Sequence, residues 1–303
     1  MSNIVGIGAC VMDTLVSVPE YPKEDTKLQA LSTKVAGGGP VATGLVTAAV
    51  LGVSAGYIGQ LAEDNGGKFL LQDFEKYGVE TCYITKKAGH RSFTSTIWLS
   101  QKSYSRTCVF DRGDLPSWKL SQDQKAALAE AQLLMVDGNE LQAAVEGSRL
   151  AKSAGVKVLY DAGGLYSGVE ELLCLTDYLI PSEEFATKHT GCASADDAAK
   201  TLFDRYHPRF VVVTQGKLGG VLYDGKELSH YPAFSVEALD TNGAGDVFHG
   251  AFAAALIKGF APYQCCCFAS AVSALKCTGV GARESVPNME TVKHFLEEKG
   301  YEL

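Results

Sequence analysis

The sequence predicts an α/β protein in which helices cover a mainly parallel central sheet and a small β-sheet forms a lid. The first observation is a regular alternation of strand and helix patterns, clearest at Leu133–Asp137, Leu141–Ala154 and residues 157–161. Strand–helix–strand repeats form right-handed crossovers, which place parallel strands side by side under helices. The second observation is a change of pattern at residues 82–110, where strand signals follow one another without a helix. With 303 residues and no linker or internal repeat, one domain spanning residues 1–303 is expected.

The first half of the chain carries segments of both sheets. The apolar run at residues 3–9 predicts a buried first strand, and a glycine-rich stretch leads into a helix at 44–51. A strand at 54–58 and a helix at 65–77 follow. Lid strands are predicted at 15–18, 26–35, 92–99 and 106–110, so the lid comprises segments of about 14–36 and 91–112. Because a small sheet needs a partner surface to be stable, we expect a homodimer formed through the lid.

The second half continues the alternation to the end of the chain. A hairpin is predicted around the turn Asp224-Gly225, between residues 219–223 and 226–231. The remaining predicted strands are residues 177–180 and the β-branched run Phe210–Thr214. The remaining predicted helices are residues 122–131, 195–206, 247–258, 263–276 and 289–299.

Composition narrows the classes of function. The formal net charge of −8 argues against a nucleic-acid or anionic-membrane partner. No apolar run reaches the ~18 residues of a membrane-spanning helix. The N-terminal residues Met1-Ser-Asn-Ile-Val-Gly lack the basic and apolar pattern of a signal peptide, which favours a cytoplasmic location.

The nine cysteines show no disulfide framework of the kind found in small secreted domains. Cys265, Cys266 and Cys267 are consecutive, so on a helix they point in three different directions. A zinc site usually needs matched pairs such as C-x-x-C. Buried free thiols are therefore favoured over a metal site.

The stretch Asp240-Thr-Asn-Gly-Ala-Gly-Asp246 indicates the chemistry. Its glycines permit a tight turn with exposed amides, and the small apolar residues that follow predict a buried helix. Unpaired amides and the helix dipole make such an N-terminus an anion site. A carboxylate there needs a chemical task, such as taking a proton from an attacking hydroxyl. The stretch predicts phosphoryl transfer with Asp246 as base.

Other polar or glycine-rich segments follow predicted strands or precede helices, where α/β sheets bind ligands. Asp13 is one of them, although a turn-forming side chain explains it equally well. The glycines at 37–39 precede a helix and favour a small-ligand platform over a simple tight loop. The remaining members are residues 137–139, Asp161, residues 182–184 and residues 214–216.

At Asp240–Asp246 the sequence resembles the ribokinase-like (PfkB) family of sugar and nucleoside kinases. The resemblance also covers the Gly38-Gly39 loop, the segment Val213-Thr-Gln-Gly216 and the segment Gly281-Ala-Arg-Glu-Ser-Val-Pro287. It implies a Rossmann-like three-layer sandwich with a β lid, ATP as phosphate donor and Mg²⁺ as the required metal. The acceptor that it implies is a hydroxymethyl group of a small sugar, a ketose or related hexose.

The resemblance also implies roles for single residues. Asp246 would be the general base, and the amides of Gly243, Ala244 and Gly245 would hold the transferring phosphate. On the acceptor side the matching positions are Asp13, Gly38, Gly39 and Thr43, and on the nucleotide side they are Thr214 and Gly216. Asp240 with Ser285 resembles a monovalent-cation loop, which many members use to bind K⁺.

Two positions depart from the family pattern. Thr43 stands where many members have an Asn after the double glycine, and it lacks the same amide hydrogen bonds. The Asn-x-x-Glu segment tied to Mg²⁺ reads Ser182-Glu-Glu-Phe185, so the metal contact would come from Glu183 or Glu184.

In several motifs the sequence is most similar to the 6-deoxy-6-sulfofructose kinases. These motifs are Gly37-Gly-Gly-Pro-Val-Ala-Thr43, Asp246-Val-Phe-His-Gly250 and Ala274-Leu-Lys-Cys-Thr278. That branch binds its sulfonate with a Lys, an Asn and an Arg. Lys27 is the candidate lysine, and Asn139 lies in one of the other two regions. A carboxylate at Asp111 would repel a sulfonate, which argues against this substrate.

Two further alternatives stay open. A nucleoside kinase would need aromatic side chains that stack on a base, and Trp98, Tyr104 and Phe110 are candidates in the lid. A catalytically silent, ligand-binding regulator on the same fold is favoured only by the altered segment at residues 182–185. The acceptor itself, the oligomeric state and the dependence on a monovalent cation are decided by the three-dimensional arrangement.

Overall fold

A computed structural model describes residues 2–103 and 105–301. In chain order, the strands are β1 (Ile4–Ile7), β2 (Val11–Val18), β3 (Ser32–Gly38), β4 (Ala55–Tyr57), β5 (Gly59–Ala62), β6 (Ile84–Lys87), β7 (Thr94–Ser100), β8 (Ser105–Asp111), β9 (Leu133–Asp137), β10 (Lys157–Ala162), β11 (Tyr178–Pro181), β12 (Phe210–Thr214), β13 (Gly220–Tyr223) and β14 (Leu228–Tyr231). The helices are α1 (Pro40–Val50), α2 (Asn65–Lys76), α3 (Gln122–Glu130), α4 (Leu141–Ala154), α5 (Glu170–Leu175), α6 (Glu183–Thr190), α7 (Ala195–Tyr206), α8 (Ala244–Ile257), α9 (Pro262–Cys277) and α10 (Met289–Glu298).

An eight-stranded sheet forms the middle layer, in the order β14-β13-β12-β11-β10-β9-β1-β4. Six neighbouring strands of this sheet run parallel, namely β4, β1, β9, β10, β11 and β12. The other two, β13 and β14, form the predicted antiparallel hairpin at one edge. The central strands are buried on both faces, as in Leu133–Asp137, because helices cover both sides of a parallel sheet. The predicted α/β fold is therefore confirmed.

Two apolar cores separate the three layers. One core lies between the sheet and α1, α2, α8, α9 and α10, and the other lies between the sheet and α3 to α7. The predicted free thiols Cys265, Cys266 and Cys267 are buried in the first core. Within residues 2–103 and 105–301, no group of three or more His, Cys, Asp or Glu side chains is arranged to hold a metal ion. No helix in that part of the chain is long and apolar enough to cross a membrane.

Helices α1 and α8 approach each other unusually closely. A Cβ atom on Gly250 of α8 would lie 2.2 Å from the carbonyl oxygen of Gly44 in α1. Two glycines at the crossing therefore let the backbones touch, and any larger residue at Gly250 would push the helices apart. This contact keeps the first turns of the two helices in a constant relative position.

The lid is a four-stranded sheet in the order β3-β2-β7-β8. Strand β2 pairs antiparallel with β3 and parallel with β7, and β7 pairs antiparallel with β8. The inward face carries Leu15, Ala36 and Ile97, which form a small buried cluster. Two features differ from the sequence prediction. Strand β2 starts at Val11 and so contains Asp13, and β3 runs into the glycine loop and ends at Gly38.

The other differences concern short elements. The helices α5 and α6 and the two-stranded sheet of β5 and β6 are not predicted from the sequence. Each of these strands and helices has at most eight residues, which is too short for a clear hydrophobic period.

Candidate active site

The N-terminus of α8 is the centre of the candidate site. Gly243 precedes the helix with φ +74°, a left-handed conformation that glycine adopts without strain. The N–H groups of the first turn have no partners within the helix and carry partial positive charge. Gly245 is exposed, and a side chain built there would meet nothing within 4 Å. The structure thus leaves room for an anion at this turn, although the Ala244 N–H also donates to the Thr241 carbonyl at 3.3 Å.

Asp246 lies in the same first turn and is half-buried. Desolvation raises the pKa of its carboxyl group, while the positive charges of His249, Arg106, Arg283 and Lys276 lower it. A carboxylate with a raised pKa is a better proton acceptor near neutral pH. An anion site and a base are therefore one residue apart on one helical turn.

A cavity of about 450 Å³ borders the anion site. Its wall includes Ala244 and Gly245, together with two predicted residues, Thr214 at the end of β12 and Gly216 just after it. Pockets of this volume bind small organic ligands. The apolar part of the wall includes Tyr231, Ala233, Phe234, Val236, Ala238, Phe248 and Ala274.

The lid supplies a second carboxylate through Asp13 of β2. Its Oδ1 accepts a hydrogen bond of 2.6 Å from the Ser95 hydroxyl on β7. A Cβ atom on Gly38 would lie 2.0 Å from Asp13 Oδ2, so only glycine lets β3 pass this carboxylate. Burial, with a smaller contribution from the charge of Asp246, raises the pKa of Asp13 to about 6 against the lowering effects of Ser95 and Arg283. Asp246 is therefore close enough to Asp13 for its charge to act on this carboxyl group.

Asp137, at the end of β9, connects three segments of the site through hydrogen bonds. Its Oδ2 accepts from the backbone N–H groups of Ala9 at 2.9 Å and Val41 at 3.3 Å, so it caps the start of α1. Its Oδ1 accepts from the backbone and side-chain nitrogens of Asn139. Burial raises the pKa of this fully enclosed carboxyl group. We infer that Asp137 has a structural task here.

Asn139 lies at the rim of the site and has three polar partners. Its amide nitrogen donates to Asp137 and to the Tyr166 hydroxyl at 3.1 Å, and its oxygen accepts from Arg112 at 3.1 Å. The Arg112 guanidinium also lies 5.5 Å from the ring centre of Phe93, and this contact helps to hold the guanidinium beside Asn139. The rim therefore combines an amide with a positive charge.

Arg283 connects four parts of the site and is only 1% exposed. Its guanidinium pairs with Asp73 of α2 and donates to the Gly38 carbonyl at 2.6 Å and to the Thr43 hydroxyl at 3.3 Å. It also lies over the ring of Phe74, 5.4 Å from the ring centre. Thr43 is fully buried, and its hydroxyl is occupied by this arginine. The sequence contained one clue to this role, an arginine in the Gly281–Pro287 motif, but not its partners.

His249 is a second residue that the sequence analysis did not single out. It follows Asp246 by three positions, so both lie on the same side of α8. Its Nδ1 lies 2.6 Å from the Gly245 carbonyl, and its Nε2 lies 2.9 Å from the Ile180 carbonyl. Both partners are carbonyl oxygens, which only accept hydrogen bonds, so a ring nitrogen must carry a hydrogen to bond either of them.

Asp161 is the acidic neighbour of this histidine. Its Oδ2 lies 3.2 Å from His249 Nδ1, and both side chains are buried. Desolvation raises the pKa of Asp161 to about 7, against the lowering effect of His249. The pair lies beside the first turn of α8, since His249 Nδ1 also contacts the Gly245 carbonyl.

The two candidate Mg²⁺ ligands differ in their positions. The Glu183 carboxylate accepts a hydrogen bond of 2.8 Å from Gln215, the residue between Thr214 and Gly216, so it lies beside the cavity. Glu184 is exposed and bound to Lys188 one turn along α6. Mg²⁺ in such sites is held by one or two carboxylates and by substrate phosphates. Glu183 fits this role better than Glu184 does.

The lid contributes an arginine that the sequence analysis missed. Arg106 of β8 donates to the Thr241 carbonyl at 3.2 Å, which brings it to the loop before the anion site. Cross-strand register places Asp13, Ser95 and Phe110 in one row, and Arg106 shares their face of the sheet. The register was the missing information, because it decides which face each side chain takes.

Three predicted ligands are not part of this cluster. Lys27 is exposed in the loop between β2 and β3, and no hydrogen bond or ion pair joins it to any other described residue. Asp240 uses both carboxylate oxygens to accept from the backbone N–H groups of Asn242 and Gly281. The Ser285 hydroxyl lies against Gly279, where a Cβ atom would be 2.5 Å away.

The raised pKa of Asp13 predicts a stability gain for Asp13→Asn. A carboxyl group whose pKa is raised on folding costs more free energy as the pH rises from about 4 to about 6. We expect the variant to match the wild type in stability near pH 4 and to exceed it at pH 7.5, by at most about 3 kcal/mol. Urea unfolding at both pH values measures this.

Asp111→Asn is the matched control, because Asp111 is an exposed lid carboxylate whose pKa is lowered by the Gly113 N–H and by Arg91. It should show no gain in stability at pH 7.5. Equal destabilisation of Asp13→Asn at both pH values would contradict the expected burial cost.

Comparisons with known proteins agree with this geometry. The family model described as "pfkB family carbohydrate kinase" matches residues 1–289. A ribokinase of Haemophilus influenzae is 27% identical over 297 residues, covering 96% of this chain and 97% of the relative. A 5-dehydro-2-deoxygluconokinase of Shouchella clausii is 27% identical over 320 aligned positions, covering 98% and 96%. The crystal structure of a ribokinase from Thermotoga maritima superposes with a TM-score of 0.82 at 26% identity, covering 98% of this chain and all of that one.

Proposed function

Because the chain belongs to the pfkB family of carbohydrate kinases, we propose that it transfers the terminal phosphate of ATP to a hydroxymethyl group of a small sugar. The observation that carries this proposal is the position of Asp246. It lies in the same helical turn as the anion site at Gly245, and its charge acts on Asp13 of the lid, so an acceptor hydroxyl held by Asp13 would approach the phosphate here. Phosphoryl transfer needs positioning and charge stabilisation more than covalent chemistry.

Each part of the site has a task in this reaction. Asp246 takes the proton of the acceptor hydroxyl as the oxygen attacks phosphorus. The amides of Gly243, Ala244 and Gly245 stabilise the charge on the transferring phosphoryl group, because preorganised donors act without rearrangement. Arg106 of the lid adds positive charge at the same loop. Glu183 would help to hold a Mg²⁺ ion, which would supply positive charge to the phosphate oxygens.

The donor site is the cavity beside α8. Its apolar wall suits a purine base, and Thr214 and Gly216 line the side next to Glu183. ATP bound here would direct its phosphates towards the N-terminus of α8. The acceptor side is then bounded by Asp13, Gly38 and Gly39. Asp13 would accept hydrogen bonds from sugar hydroxyls.

For the acceptor, a pentose or ketose is the first candidate, since relatives with this chain length are named ribokinase. A second candidate is a sugar with an acidic substituent. Arg112 at the rim, which Asn139 holds in place, favours it, because a guanidinium binds a carboxylate or sulfonate well. The comparisons give no support to the specific resemblance to sulfofructose kinases. Among the described residues, no hydrogen bond or ion pair joins Lys27 to Arg112 or Asn139.

The positions of the lid aromatics give less support to the nucleoside-kinase alternative than the sequence did. Trp98 lies on the lid face opposite to Asp13, as the strand register shows, so it does not face the acceptor. Phe110 shares the face of Asp13 but packs against Phe93. Tyr104 lies outside the described residues. The regulator alternative is weakened because relatives over nearly the whole chain are named as kinases.

An acceptor panel tests the proposal. ATP consumption would be measured with ribose, deoxyribose, fructose, 5-dehydro-2-deoxygluconate, a sulfonated fructose and adenosine, each with wild type and Asp246→Asn. The proposal expects turnover of at least one sugar by the wild type alone. Turnover of adenosine alone would overturn the choice of a sugar. ATP binding without turnover of any acceptor would favour the regulator.

We also propose that the protein is a homodimer formed through the outer lid face. Cross-strand register aligns Val35, Thr14, Thr96 and Val109 in one row on this face. The row is uncharged, and Val35 and Val109 are 45% and 62% exposed. An exposed, uncharged and β-branched surface of this kind is typical of an interface.

Thr96→Asp should therefore convert the dimer to a monomer, because it places a charge at the centre of the proposed interface. Sedimentation velocity measures the mass of the particle. Lys293→Glu, on the exposed side of α10, is the control and should leave the mass unchanged. A monomeric wild type would refute the interface.

A further inference from the structure

Lys276 is a fully buried lysine behind the anion site. It lies in the last turn of α9 and has no exposed surface. Its Nζ donates to the carbonyl oxygen of Asp240 at 2.8 Å and to that of Asn242 at 2.5 Å. Lysine is almost never fully buried unless it is paired. The loop that leads into α8 is therefore held by a cation that belongs to the chain itself.

The contact controls the orientation of the anion-site amides. In a trans peptide, the carbonyl of one residue and the N–H of the next point in opposite directions. Because Lys276 binds the Asn242 carbonyl, the Gly243 N–H must point away from Lys276. The same peptide geometry applies to Asp240 and the following residue. One ammonium group thus sets the direction of two peptide units immediately before the helix.

The local charges are balanced without an added ion. Desolvation lowers the pKa of Lys276, and the Asp240 carboxylate raises it again. That carboxylate accepts from the backbone N–H groups of Asn242 at 2.8 Å and Gly281 at 2.9 Å. The loop, the end of α9 and the segment at Gly281 are therefore connected through one lysine and one aspartate.

This arrangement does not fit the monovalent-cation site that the sequence predicts at Asp240 and Ser285. Potassium is held by carbonyl, carboxylate and hydroxyl oxygens, and a site needs several of them to be free. Here the two loop carbonyls bind an ammonium group, and both Asp240 carboxylate oxygens bind amides. Ser285 lies against Gly279 and shares no hydrogen bond with Asp240 in the described parts of the chain.

We propose that the Lys276 ammonium group occupies the place of a monovalent cation, so that this kinase is active without K⁺. Lys276 acts as a positioning residue, since it touches the loop and neither phosphate nor acceptor. The inference rests on the proposed function, because it assigns the lysine to the anion site of that reaction.

The first experiment compares KCl with tetramethylammonium chloride, each at about 100 mM so that screening is equal. Phosphorylation rate, affinity for a fluorescent ATP analogue and the midpoint of thermal unfolding are measured. For the wild type we expect less than about a twofold difference in rate and no K⁺-specific rise in the unfolding midpoint, because no bound ion contributes stabilisation. A rate at least about tenfold higher in KCl, or a K⁺-specific rise in the midpoint, would overturn the proposal.

The second experiment uses Lys276→Ala, which removes the cation and leaves a cavity lined by carbonyl oxygens. In tetramethylammonium chloride we expect its rate to fall by about 100-fold, the effect of losing preorganised donors. Ammonium or K⁺ should raise the rate of this variant about tenfold, because a small cation can enter the cavity and tetramethylammonium cannot. A merely structural lysine would not create an ion dependence. A wild-type rate in tetramethylammonium chloride, or a loss that neither ion reduces in a folded variant, would count against the proposal.

Lys293→Met is the matched control, because Lys293 is an exposed lysine on α10. It should behave as the wild type in every salt. If Lys276→Ala does not fold, the salt series of the wild type decides alone. The unfolding and nucleotide-affinity measurements need no acceptor, so they can be interpreted even if the sugar was chosen incorrectly. They therefore distinguish a failure of the proposed function from a failure of the proposed role of Lys276.

Discussion

Replacing Asp246 with Asn is expected to lower kcat by about 10³-fold while ATP binding is retained. Asparagine keeps the shape of the side chain but accepts no proton at neutral pH. The amides of Gly243 and Gly245 belong to the backbone and stay in place. The fold should not suffer, because desolvation already raises the pKa of the Asp246 carboxyl group. Steady-state kinetics with saturating acceptor, together with ATP-analogue binding, measures both parts of this result.

The control for Asp246→Asn is Asp123→Asn. Asp123 also lies in the first turn of a helix, α3, but it is exposed and outside the site. Its replacement removes a similar interaction with a helix dipole and should leave kcat unchanged. A kcat for Asp246→Asn within about tenfold of the wild type would show that another group accepts the proton.

Replacing Arg283 with Met should lower the free energy of unfolding by about 3–5 kcal/mol. The change removes the partner of Asp73 and leaves that carboxylate, only 11% exposed, without its counter-charge. It also leaves the Gly38 carbonyl without its donor, so the loop that faces Asp13 loses a support. Urea unfolding gives the stability, and the KM of the acceptor should rise in the folded fraction.

Two further variants separate a buried pair from an exposed one. The double variant Arg283→Met with Asp73→Leu should recover much of the lost stability, because replacing both members of a buried pair by apolar residues is often neutral. Lys102→Met breaks the exposed pair with Glu20 and should cause only a very small loss of stability, because water and salt screen such a pair. A loss of that small size for Arg283→Met would show that the buried guanidinium contributes nothing net.

The fold was predictable from the sequence because its signals are local and strong. The buried strands Leu133–Asp137 and Phe210–Thr214 have the predicted bounds, since a run of β-branched and apolar residues under covering helices leaves one interpretation. The bounds of β3 were misplaced towards the N-terminus. Its final residues are Ala36, Gly37 and Gly38, and glycines inside a strand carry no strand signal.

The candidate site was predictable only in part, for a related reason. The proposed general base and the glycines of the proposed anion site lie within four consecutive positions, so the motif shows them together. The lid residues depend on strand register, and a sequence does not show which side chains share a face. Trp98 and Phe110 illustrate this, because they were predicted as equivalent aromatic candidates and lie on opposite faces of one sheet.

The sequence by itself determined the reaction type, because Gly243 to Asp246 form one helical turn whose chemistry depends on adjacent residues. Only the tertiary structure decided which cations surround that turn. Lys276 reaches the Asn242 carbonyl from 34 positions away, Arg106 reaches Thr241 from 135, and Arg283 reaches Thr43 from 240. A charge acts through space, and its effect depends on distance and burial. Neither quantity exists until helices, sheet and lid have packed together.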